Sequence, residues 1–255
     1  MISSCGLSDP GCERPENEDR ILLDEDLGLF AVADGMGGHA SGEVAATMAL
    51  AAVRHCVQSS RDRLDVTWPF GYNFSLSLDE NRLCTAFQLG NRQVWIRSDQ
   101  APEHAGMGTT LTAVLIREDR AAVASVGDSR AYLFRGGQLD QLTVDDTWVE
   151  AMIRQGTLDR QRAREHPMRS VLTQAAGARE AVEVRTIERP LRDQDLLLLS
   201  TDGLHAVVEE EAIRAALASG DSLPPMARRL IEAARASGGP DNVSCILIRY
   251  SQSAP

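Results

Sequence analysis

The chain has 255 residues, 43% of them hydrophobic and 25% charged, and a formal net charge of −11. The apolar content is enough for one substantial core, and the acidic balance argues against nonspecific nucleic-acid binding, which depends on basic groups. Because the apolar runs are too short to cross a bilayer and no secretory signal opens the sequence, we expect a cytoplasmic protein with no membrane partner.

Strand-like segments and helical patterns follow one another along the chain. A first helix is predicted from Ser41, a candidate N-cap, and a second covers 80–98. A third begins near Pro225 and stops before Gly238. Several strand segments are continuously apolar, which indicates burial on both faces. The predicted strands are 29–33, 110–117, 121–126, 131–135, 182–187, 195–200 and 243–250.

The order of these elements predicts an α+β fold. Strands cluster in the middle and at the end of the chain, and helices come as two long early elements and two late ones, so the pattern does not alternate as βαβ units would. It suits a sheet-on-sheet sandwich with helices outside. Since no repeat, low-complexity tract or linker divides the chain, we expect a single domain over 1–255.

Four apolar strands each carry an aspartate at one tip. They are Asp34 after 29–33, Asp128 after 122–126, Asp202 after 196–201 and Asp241 before 243–248. One Asp-Gly pair is typical of a turn, but four carboxylates gathered at one end of a sandwich would repel one another, and a cation is the natural compensation. A donor set of oxygens without a Cys/His cluster favours Mg²⁺ or Mn²⁺ over Zn²⁺.

Six short motifs occur along the chain from about residue 5 to about 250. They are Arg14-Pro15-Glu16-Asn17-Glu18-Asp19, Asp34-Gly35-Met36-Gly37-Gly38-His39, Gly106-Met107-Gly108-Thr109-Thr110, Gly127-Asp128-Ser129-Arg130, Thr201-Asp202-Gly203-Leu204 and Asp241-Asn242. In this order and spacing, the chain resembles the bacterial metal-dependent Ser/Thr protein phosphatases of the type 2C (PPM) family. The resemblance implies a four-layer αββα sandwich, in which helices flank two antiparallel β-sheets.

The resemblance also implies a centre with two Mn²⁺ or Mg²⁺ ions. Asp34 resembles the carboxylate that bridges the two ions, and the Gly35 carbonyl resembles a neighbouring ligand. Asp202 and Asp241 resemble the remaining ligands of the first ion. Glu18 resembles a ligand of the second ion, directly or through water.

Further roles follow from the same resemblance. Asp19 resembles a supporting residue of the metal site, and Asp128 with Asp202 resembles a pair that holds a weaker third ion. Arg14 resembles the guanidinium that grips the substrate phosphate. His39 is a candidate general acid for the leaving alkoxide, although a water of the site could donate that proton instead.

The implied activity is hydrolysis of phosphoserine and phosphothreonine on other proteins, in opposition to a bacterial Ser/Thr kinase, by a chain expected to be a monomer. A non-catalytic phosphoprotein binder is disfavoured because the ligand carboxylates and Arg14 are all present. An aspartyl-nucleophile phosphotransferase is disfavoured because Asp34 is followed by Gly-Met-Gly rather than by a second aspartate. A phosphatase dedicated to one regulator, such as an anti-sigma-factor antagonist, is a further alternative.

Two segments lie outside the motifs. Residues 145–180 resemble the family's flap subdomain, whose arginines could contact a phosphopeptide, although a solvated charged face is the favoured interpretation. Residues 61–79 resemble an additional loop that carries Trp68, Phe70, Tyr72 and Phe74. We expect this loop to pack on the core as a lid, and a docking site for a partner is the alternative.

Overall fold

The computed structural model describes residues 1–38, 41–61 and 67–252. These residues form eleven strands and seven α-helices. The strands are β1 (Ile2–Asp9), β2 (Asp19–Asp24), β3 (Leu29–Met36), β4 (Gly108–Thr109), β5 (Leu111–Arg117), β6 (Arg120–Val126), β7 (Arg130–Arg135), β8 (Gln138–Gln141), β9 (Arg185–Pro190), β10 (Leu196–Ser200) and β11 (Val243–Tyr250). The helices are α1 (Ser41–Ser60), α2 (Leu78–Gln100), α3 (Trp148–Arg154), α4 (Arg160–Arg164), α5 (Asp202–His205), α6 (Glu210–Leu217) and α7 (Leu223–Ala236).

The strands form two antiparallel sheets. The first sheet has the order β1-β11-β10-β7-β8, and the second has the order β2-β3-β5-β6-β9, with β4 paired to β3. The chain passes from the second sheet to the first directly between β6 and β7, so the Gly127–Ser129 turn joins the two sheets. The α+β prediction is therefore confirmed.

Three buried clusters of apolar side chains separate four layers. Between the sheets, Phe30 and Val114 of the second sheet belong to the same buried cluster as Leu197 and Ile246 of the first sheet. A second cluster joins α1 and α2 to the outer face of the second sheet, and a third joins α5, α6 and α7 to the outer face of the first. Each fully buried aliphatic or aromatic side chain contributes roughly 1.5–3 kcal/mol, so these clusters hold the layers together. The αββα prediction is confirmed.

Local sequence signals explain where the long helices begin. At the start of α2, the Ser77 hydroxyl accepts a hydrogen bond from the Glu80 amide at 3.2 Å, and the Glu80 carboxylate accepts one from the Ser77 amide at 2.8 Å. This reciprocal capping box satisfies two amides of the first turn. Prolines in the first turn of α7 cost nothing there, because those amides have no partner within the helix.

Several predicted boundaries were wrong. The strand predicted over 29–33 continues to Met36, so Asp34 lies inside β3 rather than after it. The segment predicted over 182–187 is displaced to β9. The strands β1 and β2 were not predicted, because each lies at a sheet edge with partly exposed side chains and has no continuous apolar run.

The aromatic loop does not form the expected lid. Trp68 and Tyr72 meet edge to face with ring centroids 5.1 Å apart, and Tyr72 meets Phe74 at the same distance. Phe74 is 92% exposed and Phe70 is 43% exposed, so these two rings do not pack on the core. The prediction of a packed lid was wrong for both: Phe74 contacts another ring of its own loop, and Phe70 is largely exposed.

The segment 145–180 contains the short helices α3 and α4, and the His166 ring stacks on the Trp148 ring with centroids 4.9 Å apart.

None of the helices in the described part of the chain combines the length and the hydropathy that a bilayer crossing requires.

Candidate metal centre

Asp19 and Asp34 lie directly opposite each other on the paired strands β2 and β3. Like charges in this position destabilise a sheet unless something compensates for them. The buried Asp19 Oδ2 accepts hydrogen bonds from Thr201 Oγ1 at 2.8 Å and from Ser244 Oγ at 2.7 Å. Because Thr201 and Ser244 belong to the first sheet and its tip, Asp19 links the two sheets at this end of the sandwich.

Asp202 and Asp241 come together because the residues that follow them, Gly203 and Asn242, are in close backbone contact. Asp202 begins α5 directly after β10, and Asp241 stands just before β11. A Cβ atom placed on Gly203 would lie 1.9 Å from the Asn242 carbonyl oxygen. The absence of a side chain at Gly203 therefore allows the two aspartates to share one site.

Replacing Gly203 with Ala should destabilise the protein by about 1–3 kcal/mol, because the new methyl group forces the two backbones apart. Thermal unfolding would measure the change. Gly90→Ala, inside α2, is the matched control, since a Cβ there meets its nearest neighbour at an ordinary 3.4 Å. Its melting temperature should be equal or higher, because Ala favours a helix. Equal loss in both variants would contradict the close approach.

Glu18 reaches the centre through contacts that position both its backbone and its carboxylate. Its amide donates to Asn242 Oδ1 at 2.8 Å, and its Oε1 accepts from the Gly42 amide at 3.1 Å in the first turn of α1. The Asn242 side chain also donates to the Pro10 and Glu16 carbonyls at 3.1 and 2.9 Å. Asn242 thus anchors the loop that carries Glu18, a role that the sequence analysis did not assign.

The backbone of Asp34 is held by the Gly-Met-Gly-Thr-Thr motif. The Asp34 amide donates to Thr110 Oγ1 at 2.9 Å, and the Asp34 carbonyl accepts from Thr109 Oγ1 at 2.9 Å. The next residue, Gly35, lies so close to α1 that a Cβ there would be 2.1 Å from the Gly42 carbonyl oxygen. This motif therefore positions Asp34, the predicted metal ligand, and is not itself predicted to supply one.

The carboxylates perturb one another electrostatically. Burial raises the pKa of Asp34 well above its ordinary value, with further increases from Asp19 and Asp202. Burial, followed by the Asp241 charge, raises the pKa of Asp202. The pKa of Asp19 rises to about 7 and that of Asp128 to about 8, in both cases mainly through burial. These carboxyl groups, drawn from five separate places in the sequence, occupy one shared electrostatic site.

The donor set fits hard divalent cations. Asp19 Oδ1 and Asp202 Oδ1 are buried with no hydrogen-bond donor from the described residues. Such oxygens are costly to bury alone, and a cation that prefers oxygen ligands would satisfy them. The side chains do not already form a complete cage: among the described residues, no three His, Cys, Asp or Glu side chains are arranged to hold an ion. Arg14 instead pairs with Asp241 at 2.9 Å.

The turn that carries Asp128 is braced on both flanks. Gly127 has a φ of +99°, a left-handed conformation that favours glycine, and its amide donates to Asp146 Oδ2 at 3.2 Å. Asp146 in turn pairs with Arg185 at 2.9 Å. On the other flank, Ser129 Oγ lies 2.7 Å from Thr110 Oγ1. Sequence reasoning gave Asp146 no role, and its partner Arg185 lies 39 positions away.

Most of the sequence-predicted site residues lie close together. Asp34, Asp128, Asp202 and Asp241 share the centre with Asp19. The Glu18 carboxylate contacts the first turn of α1, and Arg14 borders the site through Asp241. His39 lies outside the described residues. Whether these residues bind metal or substrate stays a prediction.

Comparison with known proteins decides the family. The model of the family described as protein phosphatase 2C matches residues 15–247, which is nearly the whole chain. The chain belongs to the protein phosphatase 2C family. The predicted type 2C resemblance is thereby confirmed.

Relatives of this phosphatase 2C chain come from several bacteria. Serine/threonine protein phosphatase PstP of Mycobacterium tuberculosis is 39% identical over 247 residues, which cover 97% of this chain and 45% of that protein. The chain therefore spans about half the length of that relative. Serine/threonine phosphatase stp of Listeria welshimeri is 33% identical over 248 residues, which cover 94% of this chain and 93% of that protein.

The fold of this phosphatase 2C chain also matches solved structures. A crystal structure of the catalytic domain of PstP in complex with two manganese ions has a TM-score of 0.82 and 35% sequence identity to it. The match covers 98% of this chain and 99% of that one. The four-layer architecture is thus common to both.

Proposed function

We propose that this phosphatase 2C chain hydrolyses phosphoserine and phosphothreonine on proteins, with two Mn²⁺ or Mg²⁺ ions in the aspartate centre. The observation that carries the proposal is the convergence of carboxylates with two buried oxygens that lack donors among the described residues. The names of the Mycobacterium and Listeria relatives, and the manganese ions of the PstP structure, support it.

The proposed ligands follow the positions described above. Asp34, inside β3, would hold the ions together with the Gly35 carbonyl next to it in the chain. Asp202 and Asp241 would be further ligands, and Glu18 would contribute directly or through water. Their all-oxygen donors match the preference of hard divalent cations.

Two aspartates have further proposed roles. Asp128 would provide a weaker third position with Asp202; burial and then the Asp202 charge raise the pKa of Asp128, which indicates that the two carboxylates interact. Asp19 supports the centre: one of its oxygens is held by Thr201 and Ser244, and the other is left for a ligand.

Bound divalent cations would lower the pKa of a water enough to supply hydroxide near neutral pH, and they would neutralise phosphate oxygens. The chain itself provides orientation. The half-exposed Arg14 side chain can present its planar fork to the phosphate from its position beside Asp241. His39 is our candidate for protonating the leaving alkoxide, with a water of the site as the alternative.

The wider assignments are part of the same proposal. The substrates are phosphorylated proteins, among them a Ser/Thr kinase or its targets, and neither nucleic acid nor membrane is a partner. Residues 1–255 form one catalytic domain with a flap-like subdomain over 145–180, and the protein acts as a cytoplasmic monomer. No observation on the described residues favours the alternative of a non-catalytic binder.

Hydrolysis of p-nitrophenyl phosphate and of a phosphothreonine peptide tests the proposal. We expect turnover with Mn²⁺, complete loss with EDTA and recovery when Mn²⁺ is returned in excess, because the nucleophile depends on the cation. Phosphate release measured against time gives the rates. Turnover that persists in EDTA would rule out this mechanism.

Replacing Arg14 with Ala should raise the KM for the phosphothreonine peptide by about 10-fold and change kcat less, because a substrate anchor is lost before the chemical step. Steady-state kinetics would separate the two constants. Arg54→Ala is the matched control, since Arg54 is also half-exposed and pairs with an aspartate, Asp24, at 2.8 Å. An unchanged KM in the Arg14 variant would remove Arg14 from its assigned role.

A further inference from the structure

The Asn91 side chain is fully buried in the middle of α2, where an apolar residue is more usual. Its Oδ1 accepts a hydrogen bond from the Gly177 amide at 2.8 Å. Its Nδ2 donates to the carbonyls of Arg179 and Glu180 at 3.1 and 2.9 Å. Burial of an amide is unfavourable unless such partners are present. Asn91 therefore fastens the loop 177–180 to the helix.

The start of this loop packs against both α2 and β4. Gly177 has a φ of +90°, and a Cβ atom there would lie 2.2 Å from Val94 Cγ1, so its backbone lies directly on the helix. The preceding residue, Ala176, pairs with Thr109 of β4, and each backbone amide donates to the other's carbonyl, at 2.8 and 2.9 Å. The contact between Asn91 and Gly177 therefore fixes the point at which the loop meets β4.

The strand β4 has two residues and lies between this loop and β3. Such a short strand has few ladder bonds of its own, so its place depends on both neighbours. On the β3 side, the Thr109 hydroxyl donates to the Asp34 carbonyl at 2.9 Å. On the loop side, a Cβ atom on Gly108 would lie 3.2 Å from the Ala176 carbonyl oxygen, so the two segments are closely packed. A continuous series of backbone and hydrogen bonds thus connects Asn91 to Asp34.

We propose that Asn91 is a positioning residue that holds Asp34 in place through the loop 176–180 and Thr109. The inference rests on the proposed function, in which Asp34 binds the divalent cations. Residues that orient a metal ligand typically change metal affinity by about 10–100-fold when they are replaced. Asn91 acts through Thr109 and the Asp34 backbone, so we expect the lower end of this range.

Two other polar residues of α2 provide matched controls for Asn91→Leu, in which the branched outline is kept and every side-chain hydrogen bond is lost. Asn81 is also buried, and its side chain holds the loop 73–77 through four hydrogen bonds, but it lies about 15 Å from Asn91 along the helix. Gln88 donates to the Val182 carbonyl at 2.6 Å, so it fastens the chain beyond the loop 176–180. The controls are Asn81→Leu and Gln88→Met.

The test is calorimetric titration of the metal-free protein with Mn²⁺, together with its melting temperature without metal. Asn91→Leu should weaken Mn²⁺ binding by about 10-fold, whereas Asn81→Leu and Gln88→Met should change it by less than about twofold. Asn91→Leu and Asn81→Leu should lower the melting temperature by similar amounts, since each removes a buried polar network. Asn91→Ser is the milder variant, because it leaves room for a water among the same three partners, and it should weaken binding by a smaller factor.

A double variant shows whether Asn91 and Thr109 act along one path. Thr109→Val keeps the shape of the side chain and removes the hydroxyl that holds the Asp34 carbonyl. Because both changes release the same ligand, adding Thr109→Val to Asn91→Leu should weaken Mn²⁺ binding further by less than about twofold. Adding Asn81→Leu to Thr109→Val should leave the affinity of the Thr109 variant unchanged.

Three results would overturn the inference. One is Mn²⁺ binding in both Asn91 variants that matches the parent protein. Another is equal weakening by Asn91→Leu and Asn81→Leu, which indicates general loosening of the fold. The third is full multiplication of the two effects in the Asn91 and Thr109 double variant. In all three cases a parent protein that binds Mn²⁺ leaves the proposed function intact, whereas a parent protein that binds no Mn²⁺ overturns both proposals.

Discussion

Replacing Asp202 with Asn should reduce Mn²⁺-dependent hydrolysis of a phosphothreonine peptide by at least about 10³-fold, because several kcal/mol of charge stabilisation by the cation depends on its ligands. Burial and the Asp241 charge raise the pKa of Asp202, and its Oδ1 has no donor from the described residues. An amide of the same shape removes the negative charge without leaving a cavity. Phosphate release at saturating peptide, over a range of Mn²⁺ concentrations, measures the loss.

The control for this variant is Asp221→Asn. Asp221 has a side chain that is 41% exposed and pairs with Arg229 at 2.8 Å, outside the carboxylate centre, so its replacement should change the rate by less than about twofold. The metal-free melting temperature of Asp202→Asn should be equal to or higher than that of the parent protein, since one of several repelling carboxylates is gone. A variant that keeps its activity, or one that loses it only by unfolding, would contradict the assignment.

The stability of the metal-free protein should fall as pH rises from about 4 to about 8. In the folded protein, the pKa of Asp19 is about 7 and that of Asp128 about 8, against an ordinary 3.8, and those of Asp34 and Asp202 are also raised. Between these limits the folded chain binds protons that the unfolded chain releases. The stability contributed by the protonated groups is complete below the ordinary value and is lost as pH passes the folded values.

Mn²⁺ should reverse this loss. A cation at 100 times its dissociation constant stabilises the folded state by about 2.7 kcal/mol, which corresponds to roughly 5–10 °C in melting temperature for a chain of this size. Because protons compete with the cation for the same carboxylates, the increase should be larger at pH 8 than at pH 5. Thermal scans with and without Mn²⁺ at both pH values would measure it.

The Asp128→Asn variant distinguishes the titration of the buried carboxylates from the effect of general surface charge on stability. It removes a group that titrates near pH 8, so the metal-free protein should lose less stability between about pH 6 and 8, whereas Asp221→Asn should follow the parent protein. Metal-free stability that rises with pH across this range would show that the carboxylates do not share a buried site.

Some parts of the fold were evident in local sequence patterns. The apolar runs that became β5, β6, β10 and β11 are buried on both faces, and such strands need little context to be recognised. The edge strand β1 mixes serine, glycine and leucine, and its pairing with β11 joins residues more than 200 positions apart. The aromatic residues of 68–74 suggested core packing. Hydrophobicity alone, however, does not determine whether a ring packs on the core or contacts another ring of its own loop.

By itself, the sequence determined that aspartates lie in or beside the apolar strands and in which order the six motifs run. These patterns were enough to predict the family, the layers and the aspartates of the centre. The tertiary structure alone decided that Asp19 faces Asp34 across a strand pair and that Asn242 and Asp146 support the loops of Glu18 and Gly127. The physical reason is that apolar periodicity is a local property of the chain. Hydrogen bonds and charge pairs between distant segments depend on strand register and on how closely two backbones approach.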